Sequence, residues 1–298
     1  MLRYFMLGGA QLAVGAAAIF ARDALAGASP IAVAAARLVI AAAILLVVAL
    51  FMRTRNTTAI NSNERIVILC AGIALAIHFA TWIASLNYVS IAVSVLLVTT
   101  TPLFTATYDA IVLRRPLSRL SMLAFPLGML GVWLVVRGQN ARPPQPGHEM
   151  LGATLALIGA VAIGAYFLLA RTIREKLGTQ RLVTATYSWA AVALCIAALA
   201  VHQAPPPLAN TQAWMGILGM ALVAQLIGHT LLNASLRWFS PSIIAFATLL
   251  EPLIAGALAL IICGERLGYS ALGGGALVLI AVAIVLREDW TAPNPQME

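Results

Sequence analysis

Apolar positions in this chain do not alternate, and few recur on one helical face. They run on without interruption, as in "PIAVAAARLVIAAAILLVVALF". A run of ~20 apolar residues in α-helical form crosses ~30 Å of hydrocarbon, and a helix satisfies its own backbone there. About ten such runs predict ten transmembrane helices. They are Phe5–Ala21, Pro30–Met52, Ile66–Leu86, Ser90–Leu113, Leu120–Val136, Met150–Ala170, Leu182–Val201, Ala213–Leu236, Pro241–Cys263 and Gly268–Leu286. Polar or Pro-rich connections separate them, among them "RTRNTTAINSNER", "RRPLSR", "RGQNARPPQPGHE", "RTIREKLGTQR" and "HQAPPPLANTQ". No connection has room for a soluble domain. The expected fold class is an all-α integral membrane protein. A cleaved signal peptide is the alternative for the first run, since Arg3 precedes it and "DALAGA" follows.

Composition sharpens this picture. Of 298 residues, 62% are hydrophobic and only 9% charged, with a mean hydropathy of +0.96. That is too few charges to cover a water-facing surface, where about a quarter is usual. The net charge of +8 invites a nucleic-acid reading, but basic residues in membrane proteins gather in cytoplasmic loops. With the N-terminus inside, Arg3, Arg53, Arg55, Arg65, Arg114, Arg115, Arg119, Arg171, Arg174, Lys176, Arg181, Arg237 and Arg287 are inside. Only Arg22, Arg137, Arg142 and Arg266 are outside. Both termini are therefore expected in the cytoplasm. The sequon at Asn56 then falls on the wrong side for glycosylation. Cys70, Cys195 and Cys263 are scattered through apolar runs, without the spacing of a disulfide framework or metal site. No cofactor or metal is expected.

The chain repeats itself. Shifted by 150 residues, "SLNYVSIAVSVLLVTTTPLF" falls on "SLRWFSPSIIAFATLLEPLI". Ser85, Leu86, Ser90, Pro102 and Leu103 land on Ser235, Leu236, Ser240, Pro252 and Leu253, and Tyr88 on Trp238. Identity is low, and the polar and proline positions carry most of the correspondence. Five spans per half is an odd number, so the second half enters from the opposite side. Two inverted five-helix repeats around a central cavity characterise secondary transporters. The expected division is 1–136 for the first repeat, 137–149 for a connecting loop, 150–290 for the second repeat and 291–298 for a polar tail.

On "SPIAVAAARLVIAAAILL", "SLNYVSIAVSVLLVTTTPLF" and "LEPLIAGALALIICGERL" the whole chain resembles the drug/metabolite transporter superfamily, in its ten-helix EamA-type branch. Within the branch it looks most like the YddG-type amino-acid exporters. The resemblance implies a small-molecule transporter. One departure stands out: Thr101-Pro102 and Arg115 in the first half correspond to Glu251-Pro252 and Glu265 in the second.

Glu251 sits near the middle of the ninth span, where an unpaired charge costs at least ~2.5–3.5 kcal/mol. Pro252 removes a backbone donor and loosens the helix. Together they predict a polar notch near the midplane. Arg37, about seven residues into the second span, is the candidate partner. A paired Glu251 is structural, whereas a free one takes a substrate amine or a proton. Gln225, His229 and Asn233 recur every fourth residue on the eighth span and form one stripe. His78, Trp82 and Ser85 form another on the third, and the two should face each other. Gln11, Thr99, Thr100, Tyr108 and Tyr166 extend the candidate substrate-binding set, with Arg37, Pro102 and Pro252 as structural or coupling residues. Asp109 is expected to pair locally with Arg114 or Arg115. Glycines at 128/131, 216/219 and 273–275 suit close helix contacts.

No Walker A pattern, HExxH or GxSxG is present, which excludes a built-in ATPase and argues against an intramembrane hydrolase. The expected protein is not an enzyme. It is a secondary transporter or exporter of amino acids or related small metabolites across a bacterial inner membrane, by alternating access. Efflux of cationic drugs is the alternative, and a non-transport scaffold or intramembrane enzyme the alternative of another class. Expected partners are the small-molecule substrate and the lipid bilayer, with the chain a monomer or weak homodimer.

Overall fold

The computed structural model describes residues 1–51, 59–114, 118–137, 147–263 and 269–291. The sequon at Asn56, Arg53, Arg55, Arg115, Arg142, Glu265, Arg266 and most of the C-terminal tail lie outside the described residues, as does the side chain of Cys263. Every element among the described residues is helical. Six stretches are long and apolar enough to cross a membrane: Leu2–Leu25, Pro30–Phe51, Ser62–Ser85, Glu149–Ala200, Thr211–Ser235 and Pro241–Leu258. Shorter apolar segments fall within the helices Arg119–Arg137 and Tyr269–Thr291.

The connection expected at "RTIREKLGTQR" is not a loop. Two helices, 149–177 and 179–200, meet directly at a kink on Gly178, whose φ of 71° and ψ of 162° are non-helical. The sequence explains the difference. Arg, Glu, Lys and Leu between Arg171 and Leu177 are good helix formers, so the chain stays helical up to the one residue without a Cβ, which takes the positive φ.

The first half of the chain packs chiefly against the second. Leu2–Leu25 lies along Thr211–Ser235. Pro30–Phe51 packs on Glu149–Ala200, and the Ile31 amide donates to Gln203 Oε1 at 3.1 Å. Ser62–Ser85 lies against both of the helices that meet at Gly178, at Gly159 on one and at Thr186–Ala190 on the other. Arg119–Arg137 pairs with Tyr269–Thr291. At one end of the bundle Lys176 and Glu64 form an ion pair between the halves. Glu64 is fixed by a capping box: its amide donates to Asn61 Oδ1 at 2.9 Å, and its carboxylate takes the Asn61 amide at 2.8 Å.

Two hydrophobic cores result. The larger joins the helices before Ser85 to Glu149–Ala200 and Thr211–Ser235. The smaller is built from Ala124, Val132, Val278, Ala281, Val282 and Val285, with Phe246 and Leu249 inserted from a third helix. Glycine makes both possible. A Cβ on Gly216 would stand 2.4 Å from the Ala24 amide nitrogen, and one on Gly131 would stand 2.7 Å from the Gly274 carbonyl oxygen. Gly273 departs from expectation, because a Cβ there would meet nothing within 4 Å.

Gly131→Val therefore forces two backbones apart and should destabilise the detergent-solubilised protein by about 1–3 kcal/mol. Gly273→Ala should be neutral or stabilising by up to about 1 kcal/mol, since it only removes backbone freedom. Thermal unfolding of both variants checks the contrast.

Candidate functional site

Among the described residues, three of the helix irregularities meet at one cavity. The first is the break between Ile91–Val98 and Thr101–Ile111. Pro102 has no N–H for the Val98 carbonyl. Thr101 Oγ1 donates to that carbonyl instead, at 2.8 Å, and reaches the Ala160 carbonyl at 3.2 Å. Thr99 and Thr100 do the same for the carbonyls of Leu96 and Leu97, at 2.9 and 2.6 Å. Thr99 and Thr101 thus carry carbonyls that the break would orphan, while the Leu97 carbonyl also takes the Thr100 amide at 3.2 Å.

The second break is the related one. Pro241–Ala247 passes through a 3-10 turn, Thr248–Leu250, into Glu251–Cys263. The Thr248 carbonyl, which Pro252 cannot serve, takes the Glu251 amide. The Thr248 hydroxyl donates to Ala245 at 2.6 Å. Glu251 stands in the first turn of the new helix, where the exposed amide ends favour a negative charge. The third irregularity escaped the sequence. Met220–His229 is π-helical, the form that recurs as local bulges at functional sites. It carries Gln225 and His229.

Between these segments lies a cavity of about 40 Å³, whose polar lining is Arg37, His78, Trp82, Thr99, Thr101, His229, Thr248 and Glu251. The stripes on the third and eighth runs do face each other here. The His78 and His229 ring centroids are 6.4 Å apart, and His78 stacks parallel to Trp82 at 6.2 Å. His78 Nδ1 donates to the Gly159 carbonyl at 2.9 Å.

Arg37 and Glu251 line the same cavity without forming an ion pair within 4.0 Å. The partner of Arg37 is neutral. Its Nη2 donates to Gln225 Oε1 at 2.8 Å, and its Cζ lies 4.0 Å from the centroid of the Phe79 ring. The expected pairing of Arg37 with Glu251 is thus replaced by an amide and an aromatic face. Arg37 is fully buried, yet its Nε and Nη1 have no partner. The same holds for Trp82 Nε1, Gln225 Nε2, His229 Nδ1 and both polar atoms of Gln11. Glu251 is half-buried.

Other candidates stand elsewhere. Asn233 and Tyr166 are buried and bonded to each other, the Tyr166 hydroxyl donating to Asn233 Oδ1 at 2.8 Å. Asn233 Nδ2 also donates to the His229 carbonyl at 2.8 Å. These two brace the cavity wall from behind. The Ser85 hydroxyl is similarly committed to Trp82 and Ser94. Thr100 and Gln11 are buried but not among the lining residues. Pro252 is buried in its helix. Tyr108 lies in a separate vestibule of about 490 Å³, lined also by Pro102, Asp109, Arg171, Glu175, Ser242 and Phe246. Asp109 takes a hydrogen bond from the Ser242 hydroxyl, not the expected ion pair with Arg114. Among the described residues no cluster suits a metal ion.

Apolar helices surrounding a buried polar cavity define a multi-pass membrane protein of the transporter class. The chain belongs to the EamA-like transporter family, whose sequence pattern matches residues 1–137 and again 150–287. An uncharacterized transporter of Archaeoglobus fulgidus is 23% identical over 210 residues, 70% of this chain and 72% of that one. A protein crystal structure shares the fold with a TM-score of 0.78 at 13% identity, covering 97% of this chain and 99% of its own.

The bracing role of Tyr166 predicts that Tyr166→Phe strands a buried amide oxygen and lowers stability by about 1–3 kcal/mol. Asn233→Leu with Tyr166→Phe, which removes both polar ends, should recover part of that loss. Thermal melts of the single and double variants test this.

Proposed function

We propose that this chain is a secondary transporter that moves amino acids or related small metabolites by alternating access through the cavity at Glu251. One observation carries this reading: among the described residues no hydrogen bond or ion pair holds Glu251, and it shares a buried cavity with a cation whose donors are incompletely used. A zwitterion supplies both missing charges. A purely structural pair would have closed on itself, since leaving ions unmatched away from water is costly.

Ten transmembrane helices in two inverted repeats, 1–136 and 150–290, form the proposed frame. Support comes from the family pattern matching each half. The helix pairings also fit exchange of the halves. The first run lies on the eighth and the third on the sixth, while second with seventh, fourth with ninth and fifth with tenth map onto themselves. The basic-residue bias sets both termini in the cytoplasm of a bacterial cell whose inner membrane holds the protein. The 490 Å³ vestibule, near Arg171 and Asp109, then opens toward the cytoplasm.

In proteoliposomes, counterflow of labelled amino acids should be retained by the native protein and lost, by tenfold or more, in Glu251→Gln. Because Glu251 has no bonded partner among the described residues, that variant should melt within about 1 kcal/mol of native, unlike the loss of one member of a buried pair. Counterflow of a cationic dye with no amino-acid counterflow would favour cation efflux instead. A reporter active only outside the cytoplasm should stay silent when fused to the C-terminus, and an active fusion overturns the topology.

A further inference from the structure

The unused donors of Arg37 give the cavity a polarity beyond the presence of an acid. Its guanidinium is held on two sides: Gln225 Oε1 fixes Nη2 at 2.8 Å, and the Phe79 ring lies against Cζ at 4.0 Å. Nε and Nη1 are left over, fully buried and unpartnered. These two groups lie on different edges of the planar guanidinium, either side of the Nη2 that Gln225 holds, and each offers a charge-assisted hydrogen bond to a carboxylate oxygen. The backbone beneath Gln225 is held in turn, since its main-chain carbonyl accepts from the Thr230 and Tyr187 hydroxyls at 3.4 and 3.5 Å. The π-helical turn at Met220–His229 thus keeps the arginine aimed without neutralising it. Glu251 lines the same space from the start of its helix.

We infer that Arg37 is the carboxylate anchor of the substrate site, oriented by Gln225 as a positioning residue, with Glu251 receiving the ammonium group. This rests on the amino-acid transport reading and deepens it. The site therefore selects for both charged ends together and rejects a cation that lacks the carboxylate, because the buried guanidinium would repel it. The cavity, at about 40 Å³, accommodates a charged headgroup and no more. The side chain must point elsewhere, and the vestibule begins one residue past Thr101, at Pro102.

The test uses the full-length protein in detergent and in liposomes. The twenty L-amino acids are screened by thermal shift. The best binder is then compared with its own amide, which lacks the carboxylate, and with its N-acetyl form, which lacks the ammonium. Native protein should bind the amide and the N-acetyl form each at least about tenfold more weakly than the parent, the scale of one charge-assisted hydrogen-bonded contact. Arg37→Gln should weaken the parent by tenfold or more and leave the amide within about threefold, erasing the discrimination. Gln225→Leu should weaken the parent partly, by the same selective pattern, because it frees the guanidinium to swing. Equal binding of parent and amide by the native protein overturns the anchor, and needs no variant to fold. Equal weakening of both by Arg37→Gln also overturns it. If no amino acid binds or exchanges while a cationic dye does, the amino-acid reading itself fails, and the anchor with it.

Discussion

A backbone carbonyl or amide in hydrocarbon has no water to turn to, and the middle of this protein is organised around that constraint. Two helices are interrupted at mid-length, at Thr99–Thr100 and at Thr248–Leu250, where each interruption would strand polar groups. Threonine hydroxyls and a tightened turn take up the loose ends. The interruptions are therefore affordable only beside other protein or a cavity. They in turn aim two helix starts, at Thr101 and Glu251, into the same space. Proline at the second position of each helix fixes the register of the break from within the sequence.

The two helix starts share a backbone plan and differ in charge. Thr101 spends its hydroxyl on Val98 and Ala160, so the first half contributes a closed, neutral wall. Glu251 spends nothing, and the second half contributes an open acid. Arg37, from the first half, balances it across the cavity without touching it. Polar groups left unmatched in this way cost stability, and the family membership of the chain gives that cost a purpose: a transporter must keep some of its bonding capacity for a passing molecule.

Much of this was legible in the residues. Uninterrupted apolar runs gave the helical membrane class, because composition and length alone decide it. Pro252 points to a loosened helix beside Glu251, and the repeat places Pro102 at the matching position of the first half. His78, Trp82, Thr99, His229 and Glu251 were found as the rare polar residues on otherwise apolar runs, and all line the cavity. The failures share a cause, which is that a single chain does not reveal its neighbours. The sequence pairs Arg37 with Glu251 as the buried cation within reach of it, whereas the Gln225 amide holds it. Tyr166 and Asn233 looked available because their mutual bond spans 67 residues. Phe79 carries no polar signal at all. The π-helical stretch left none either, since a hydrogen-bond register is a property of packing. The helical continuation through Arg171–Leu177 was misread as loop, since charge there outweighed helix propensity.

The division of the apolar interior into two cores bears on how the molecule yields under load. The smaller core, around Val132 and Val278, touches the rest through Phe246, Leu249 and the broken helices. The vestibule runs along that seam, with Phe125 and Val285 on one wall and Leu168 and Arg171 on the other. Closely packed interiors resist deformation, so compliance collects where the two meet. Sliding one body against the other would open neither core to water or lipid. At the vestibule the Asp109–Ser242 hydrogen bond joins the two broken helices. A molecule built this way is stiff in its parts and soft along one line.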